Sequence, residues 1–273
     1  MKTAIEDILH NKLSRDVRVS GVEKLHGDAS YRTYSRVGLS DGSTLIAMQM
    51  PAGASSASEE ITNFEGVHAE LPFVNVARFL SSRGLPVPRI EYYDDERHLM
   101  LIEDLGDGLM ARIVERPDDE TRRFWYRKAI DLLVEMQEKT SGASPDECVA
   151  LQRSFDQTLF DWEFDHFLEY GIEARAGTSP SSEDRASFFE LTRRLGRQIC
   201  RLPRSFTHRD FQSRNLVVRD GSLVIIDFQD ALMGPQVYDL VALLRDSYVR
   251  LSDSLLGNLL VYYAEKVSRP ADE

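Results

Sequence analysis

Short strand-like segments crowd into the first hundred residues of this 273-residue chain, and long helical periods fill most of the remainder. No other feature constrains the fold as much. Residues 17–25, 31–39, 44–50, 89–93 and 98–103 are rich in β-branched and aromatic side chains and are bounded by turn residues. Asp41-Gly42 gives a hairpin signal after the second segment, and Asp94-Asp95-Glu96 joins the last two. Helical periodicity is predicted over 5–13, with Ile5, Ile8, Leu9 and Leu13 on one face. It returns over 59–82, broken at Pro72, and then over 118–139, 155–170, 183–200 and 255–267. Phe160, Phe164, Phe167 and Leu168 form one stripe, read as core packing. Strands gathered ahead of helices predict an α+β protein of two lobes. A small five-stranded lobe over 1–103 meets a mainly helical lobe over 104–273, with a hinge at Glu103-Asp104-Leu105-Gly106.

Composition narrows the function classes. A net charge of −12 argues against a nucleic-acid binder, which needs a basic footprint. No stretch approaches the roughly 20 apolar residues of a membrane helix. The first residues, Met1-Lys2-Thr3-Ala4-Ile5-Glu6-Asp7, lack the basic and then apolar order of a signal peptide, so the chain is expected to be cytoplasmic. Cys148 and Cys200 are far apart and are expected to be reduced thiols.

Chemistry concentrates between residues 207 and 230. His208-Arg209-Asp210 is followed by Asn215 five residues after the acid, then by the apolar run Leu216-Val217-Val218. A turn at Asp220-Gly221 leads into an apolar segment ending in Asp227-Phe228-Gln229-Asp230. A loop, a hairpin and an acid at a strand end suit phosphoryl transfer. A carboxylate (Asp210) orients and deprotonates an acceptor hydroxyl. A carboxylate and an amide oxygen (Asp227 and Asn215) suit a hard divalent cation, Mg²⁺, that also binds phosphate.

These motifs resemble those of the aminoglycoside phosphotransferase and choline kinase superfamily. Gly234-Pro235-Gln236-Val237-Tyr238-Asp239-Leu240 is similar to the segment that comes next in that group, in which the acid opens a helix and braces the catalytic loop. Within the superfamily the chain is most similar to the anomeric kinases of N-acetylmuramic acid and N-acetylglucosamine that serve cell-wall recycling. Gly27-Asp28-Ala29-Ser30-Tyr31-Arg32, Ile102-Glu103-Asp104-Leu105-Gly106, Asp227-Phe228-Gln229-Asp230-Ala231 and residues 238–248 carry that likeness. The resemblance implies a protein-kinase-like fold, ATP as donor, Mg²⁺ as cofactor, and partners limited to nucleotide and a small acceptor in a monomer or weak dimer. Gly27, Asp28, Ala29, Ser30 and Arg32 are then expected to cover the phosphates, Ala47 to line the adenine pocket, and Glu103 and Leu105 to meet the adenine edge.

Two departures stand out. Kinases of this fold place a lysine on the third strand; here that strand reads Leu45-Ile46-Ala47-Met48-Gln49-Met50, with Gln49 at the expected place. Lys24, Arg32 or Arg36 is expected to supply the charge instead. Second, one further helix comes after Tyr248, fewer than in the amino-sugar kinases, which leaves the acceptor open. Arg209, Arg214 and Arg245 are candidates to pair with a substrate carboxylate or phosphate. Asp230 and Asp246 are candidates for sugar hydroxyls. Aminoglycoside-, choline- and homoserine-type acceptors stay in play, the first through Asp156, Asp161, Glu163, Asp165 and Glu169, as does a non-catalytic module of the same fold.

Overall fold

The structure is a computed structural model that describes residues 1–25, 32–50, 70–115 and 118–268. Five antiparallel strands form one sheet: β1 (Val19–Lys24), β2 (Thr33–Leu39), β3 (Thr44–Gln49), β4 (Ile90–Asp94) and β5 (Leu99–Glu103), in the order β1-β2-β3-β5-β4. The five strand segments expected from the sequence are all present, each within two residues of its predicted bounds.

Both faces of this sheet are apolar. Helix α1 (Lys2–Asn11) lays Ile5, Ile8 and Leu9 on one face, against Val37, Leu39, Leu45, Ala47, Leu99 and Leu101. The opposite face presents Ile46, Met48, Met100 and Ile102 to helix α2 (Pro72–Ser82) and to the rest of the molecule. Side chains of a strand alternate between faces, so one residue of parity decides what reaches the interior. That parity overturns two expectations. Ala47, expected to line an adenine pocket, is 1% exposed and lies under α1. Gln49 shares its side, and its Nε2 donates to the Arg97 and His98 carbonyls at 2.8 and 3.2 Å. Ile46 and Met48 are the inward residues of β3, so Met48 takes the position at which Gln49 was expected.

The chain crosses to the helical part through Asp104–Leu109, which lies beside β7 (Leu216–Arg219). Val218 N–H donates to the Gly108 carbonyl at 2.7 Å. A Cβ on Gly108 would stand 2.6 Å from the Val218 oxygen, so the approach requires glycine. After α3 (Met110–Val114) comes the long α4 (Asp119–Thr140), whose N-cap Asp118 accepts from Glu120 and Thr121 N–H. Helix α5 (Gln157–His166) continues as a π-helix over Phe167–Glu173 and ends near Gly177 (φ +68°). The predicted apolar stripe holds at Phe160 and Leu168. It breaks at Phe167, which is 54% exposed where the wider turns begin. The remaining elements are α6 (Ser182–Ile199), β6 (Arg204–Thr207), β7, β8 (Ser222–Ile225), β9 (Leu232–Pro235), α7 (Tyr238–Leu244) and α8 (Asp253–Val267). β7 pairs with β8, and β6 with β9.

Candidate active site

Two short sheets aim the chemistry. β6 delivers the chain to His208, and the β7–β8 hairpin returns it to Asp227, so residues distant in sequence face one another. The loop between them is braced from behind. Buried Asp239, in the first turn of α7, accepts the N–H groups of His208 and Arg209 at 2.7 and 3.0 Å. His208 reaches across through Nε2 to the Ile226 carbonyl at 2.9 Å, just before Asp227. Asp246 accepts Ser213 N–H at 2.9 Å, the Ser213 hydroxyl, and Tyr248 N–H at 2.8 Å. Within this frame Arg209 and Asp227 sit at φ +76° and +64°, a left-handed conformation that non-glycine residues adopt only under constraint.

Asp210, half-buried, ends in this loop. Burial raises its carboxyl above the usual carboxylate range, the charges of His208 and Arg209 oppose that, and Asp227 and Asp230 push it higher. The two acids at 210 and 227 are therefore close enough to feel one another. Asn215 Nδ2 donates to the Asp210 carbonyl at 2.8 Å, which fixes its amide and leaves Oδ1 as the acceptor end. Gln229 Nε2 ties Asp227 to Asp230, at 3.1 Å each.

Asn215 and Asp227 line one wall of a cleft of about 820 Å³ between the sheet and the helical part. The other walls include Leu25, Tyr34, Arg36 and Ile46 from the sheet and residues 103–107 from the crossing segment. Phe73 of α2 lines it too, its ring 4.9 Å from that of Phe228. A cleft of this size fits a drug-sized ligand. The crossing segment is anchored by Arg36, whose Nε lies 2.7 Å from Asp104 and whose Nη2 lies 2.9 Å from Asp107. Burial pushes the Asp104 carboxyl up, but the Arg36 hydrogen bonds and Gly106 N–H outweigh it and hold it low.

The predicted site residues divide into groups. Asn215, Asp227, Glu103 and Leu105 line the cleft, and Asp210 stands beside them. Gly27, Asp28, Ala29 and Ser30 lie outside the described residues. Among the acceptor candidates Arg214 lines the cleft, its guanidinium 4.9 Å from the Tyr248 ring centroid. Arg209 is 9% exposed and salt-bridged to Glu163 at 3.0 Å, and Arg245 is exposed. Asp246 is turned into the loop it braces. Sequence reasoning passed over Tyr34 and Ile46; strand alternation anchored on the α1 contact is the signal that finds them.

A family model described as phosphotransferase enzyme family matches residues 21–272. The chain is 27% identical to an N-acetylmuramate/N-acetylglucosamine kinase of Neisseria meningitidis serogroup B, over 88% of this chain and 65% of that protein. It is 28% identical to the protein of the same name from Pseudomonas aeruginosa, over 88% of this chain and 64% of that one. The chain thus spans somewhat under two thirds of these relatives' length. Among solved structures, the ADP-bound aminoglycoside phosphotransferase APH(2'')-Ib superposes with a TM-score of 0.65 at 14% identity, covering 98% of this chain and 83% of that one. A macrolide 2'-phosphotransferase type I gives 0.60 at 14% identity, over 98% and 83%. These likenesses bear on fold: the kinase-like arrangement of sheet, crossing segment and helical part is shared.

Proposed function

The chain belongs to the phosphotransferase enzyme family, and on that premise we propose that it moves the γ-phosphate of ATP onto a hydroxyl of a small amino sugar. The anomeric hydroxyl of N-acetylmuramate or N-acetylglucosamine is the favoured acceptor, since the relatives that align over most of this chain carry that name. The observation that carries the reaction type is that Asn215 and Asp227 line one cleft with Asp210 beside them.

Adenosine enters between the sheet and the crossing segment, where Ile46 and Leu105 offer apolar surface. Asn215 Oδ1 and Asp227 would hold Mg²⁺, which would supply charge neutralisation on the phosphates. The donor set fits that ion. Both donors are hard oxygens, and among the described residues no group of three or more His, Cys, Asp or Glu forms a closed cage. Mg²⁺ is commonly held by one or two protein groups and completed by phosphates and water. Asp210 accepts the acceptor hydroxyl's proton, and its raised pKa brings it nearer the value that suits a general base. Arg214 and Asp230 face the acceptor, while Arg209, Asp239 and Asp246 hold the loop that carries Asp210. The acids of α5 that an aminoglycoside would need are partly engaged: Glu163 pairs with Arg209 and Asp161 accepts from Gln157. We place the reaction in the cytoplasm, where nucleoside triphosphates are made and both free cysteines stay reduced.

The test is ADP release with each candidate sugar. Asp210→Asn is expected to keep Mg-ATP binding and lose turnover by about 10²- to 10⁴-fold. Undiminished turnover in that variant sinks the assignment of the base. No turnover by the unaltered protein on any amino sugar sinks the acceptor.

A further inference from the structure

A nucleoside triphosphate brings several negative charges to a cleft lined by Asp227, with Asp210 and Asp230 near enough for the three acids to act on one another. One divalent ion held by Asn215 and Asp227 does not balance that set, so the sheet above should contribute a cation. Strand alternation identifies which one. Tyr34 and Arg36 line the cleft and lie opposite Met48 and Ile46 across the β2–β3 ladder. Arg32 lies just before β2, two residues ahead of Tyr34, and its side chain meets the Tyr34 hydroxyl. Lys24 lies opposite Ser35, which is buried on the α1 side of β2, so Lys24 belongs to the other face. Arg36 is bridged to two carboxylates at the crossing segment, at the end of the row remote from Arg32. Arg32 is hydrogen-bonded to the Tyr34 hydroxyl, and that hydroxyl feels the charges of Asp227 and Asp230 below it. The phenol is pushed above its ordinary pKa, first by burial, with Arg32 opposing, so it stays a neutral donor at physiological pH.

We propose that Arg32 and Tyr34 together clamp the β- and γ-phosphates of the nucleotide, the phenol fixing the guanidinium above the metal-binding carboxylate Asp227. The clamp takes the place of a third-strand lysine, since the inward residues of β3, Ile46 and Met48, carry no charge. Arg32 binds phosphate, and Tyr34 is a positioning residue that acts through it. This inference rests on the nucleotide-kinase reading and extends it by naming what holds the phosphate tail.

The experiment measures Mg²⁺-dependent affinity for ATP, ADP and AMP by calorimetric titration. Arg32→Gln is expected to weaken ATP and ADP by about 10- to 100-fold, the range of a charge-assisted contact, while AMP changes by less than about twofold. Arg32→Lys retains most of the affinity. Tyr34→Phe gives a smaller loss with the same preference for the longer phosphate tails. Lys24→Gln, on the other face, leaves all three unchanged. Unaltered ATP affinity in Arg32→Gln overturns the clamp, as does an equal loss for AMP and ATP. A wild-type protein that binds no ATP at all overturns the kinase reading first and the clamp with it, so the two failures are distinguishable. AMP binding also reports that each variant is folded.

Discussion

Asp239 shows how one buried carboxylate serves both the loop and the fold. It is 1% exposed, accepts the backbone N–H groups of His208 and Arg209, and is pushed up to about 6 chiefly by burial. A raised acid holds its proton longer in the native state than in the unfolded chain. Native protein therefore binds more protons between about pH 4 and pH 6, so this group's contribution to stability falls as pH rises through that window and is level above it. The full change is at most about 3 kcal/mol for a difference of about two units. Asp239→Asn lacks that titration. Denaturant unfolding at several pH values should show the wild type's margin over the variant shrinking from pH 4 to pH 7; a margin that widens contradicts the assignment. At this scale the sequence was informative. Asp210, Asn215, Asp227 and Asp239 are tied to local order along the chain, and the spacing of polar groups within a loop and a hairpin survives folding. Arg209 and Asp246, expected to meet an acceptor, are engaged with Glu163 on α5 and Ser213 on the loop, partners that depend on how distant segments meet.

At the scale of elements, β3 carries the sharpest lesson. Its existence was legible in a run of apolar residues, but its parity was not. Leu45 and Ala47 on one side and Ile46 and Met48 on the other are all apolar, so alternation leaves no trace in the sequence. Only the docking of α1 assigns the sides. Two substitutions separate them. Ala47→Val, which adds volume under α1, should lower stability by about 1–3 kcal/mol and leave nucleotide affinity as it was. Ile46→Ala, in the cleft wall, should weaken ATP binding. Thermal unfolding and nucleotide titration on both variants check the pair, and the reverse pattern would return Ala47 to the pocket. Helix α5 illustrates a similar gap: its apolar period was read through Phe167, while the π-helical turns after His166 shift the face that later residues present.

Taken whole, the molecule has two lobes in outline but shares one interior. A single apolar cluster runs from Met48 and Met100 on the sheet, through α2, to Leu259 and Tyr263 on α8. Helix α2 joins the parts: Phe79 stacks on Phe206 of β6 at 6.0 Å, and Phe73 meets Phe228 beside Asp227. The boundary at residue 103 proposed from the texture of the sequence is thus a change of architecture, with apolar packing carried across it beside the cleft. One cooperative unfolding transition is expected, with calorimetric and van't Hoff enthalpies in agreement. Two resolved transitions would mean that the sheet and the helical part melt independently.

The left-handed backbone at Arg209 and Asp227 bears on how such a protein changes under selection. Glycine relaxes both positions, so a library screened only for heat resistance has an incentive to discard the two side chains to which the proposed function gives loop support and metal binding. Robustness and turnover pull in opposite directions at these two codons, and a lineage that keeps an arginine and an aspartate there is being held in place by its chemistry.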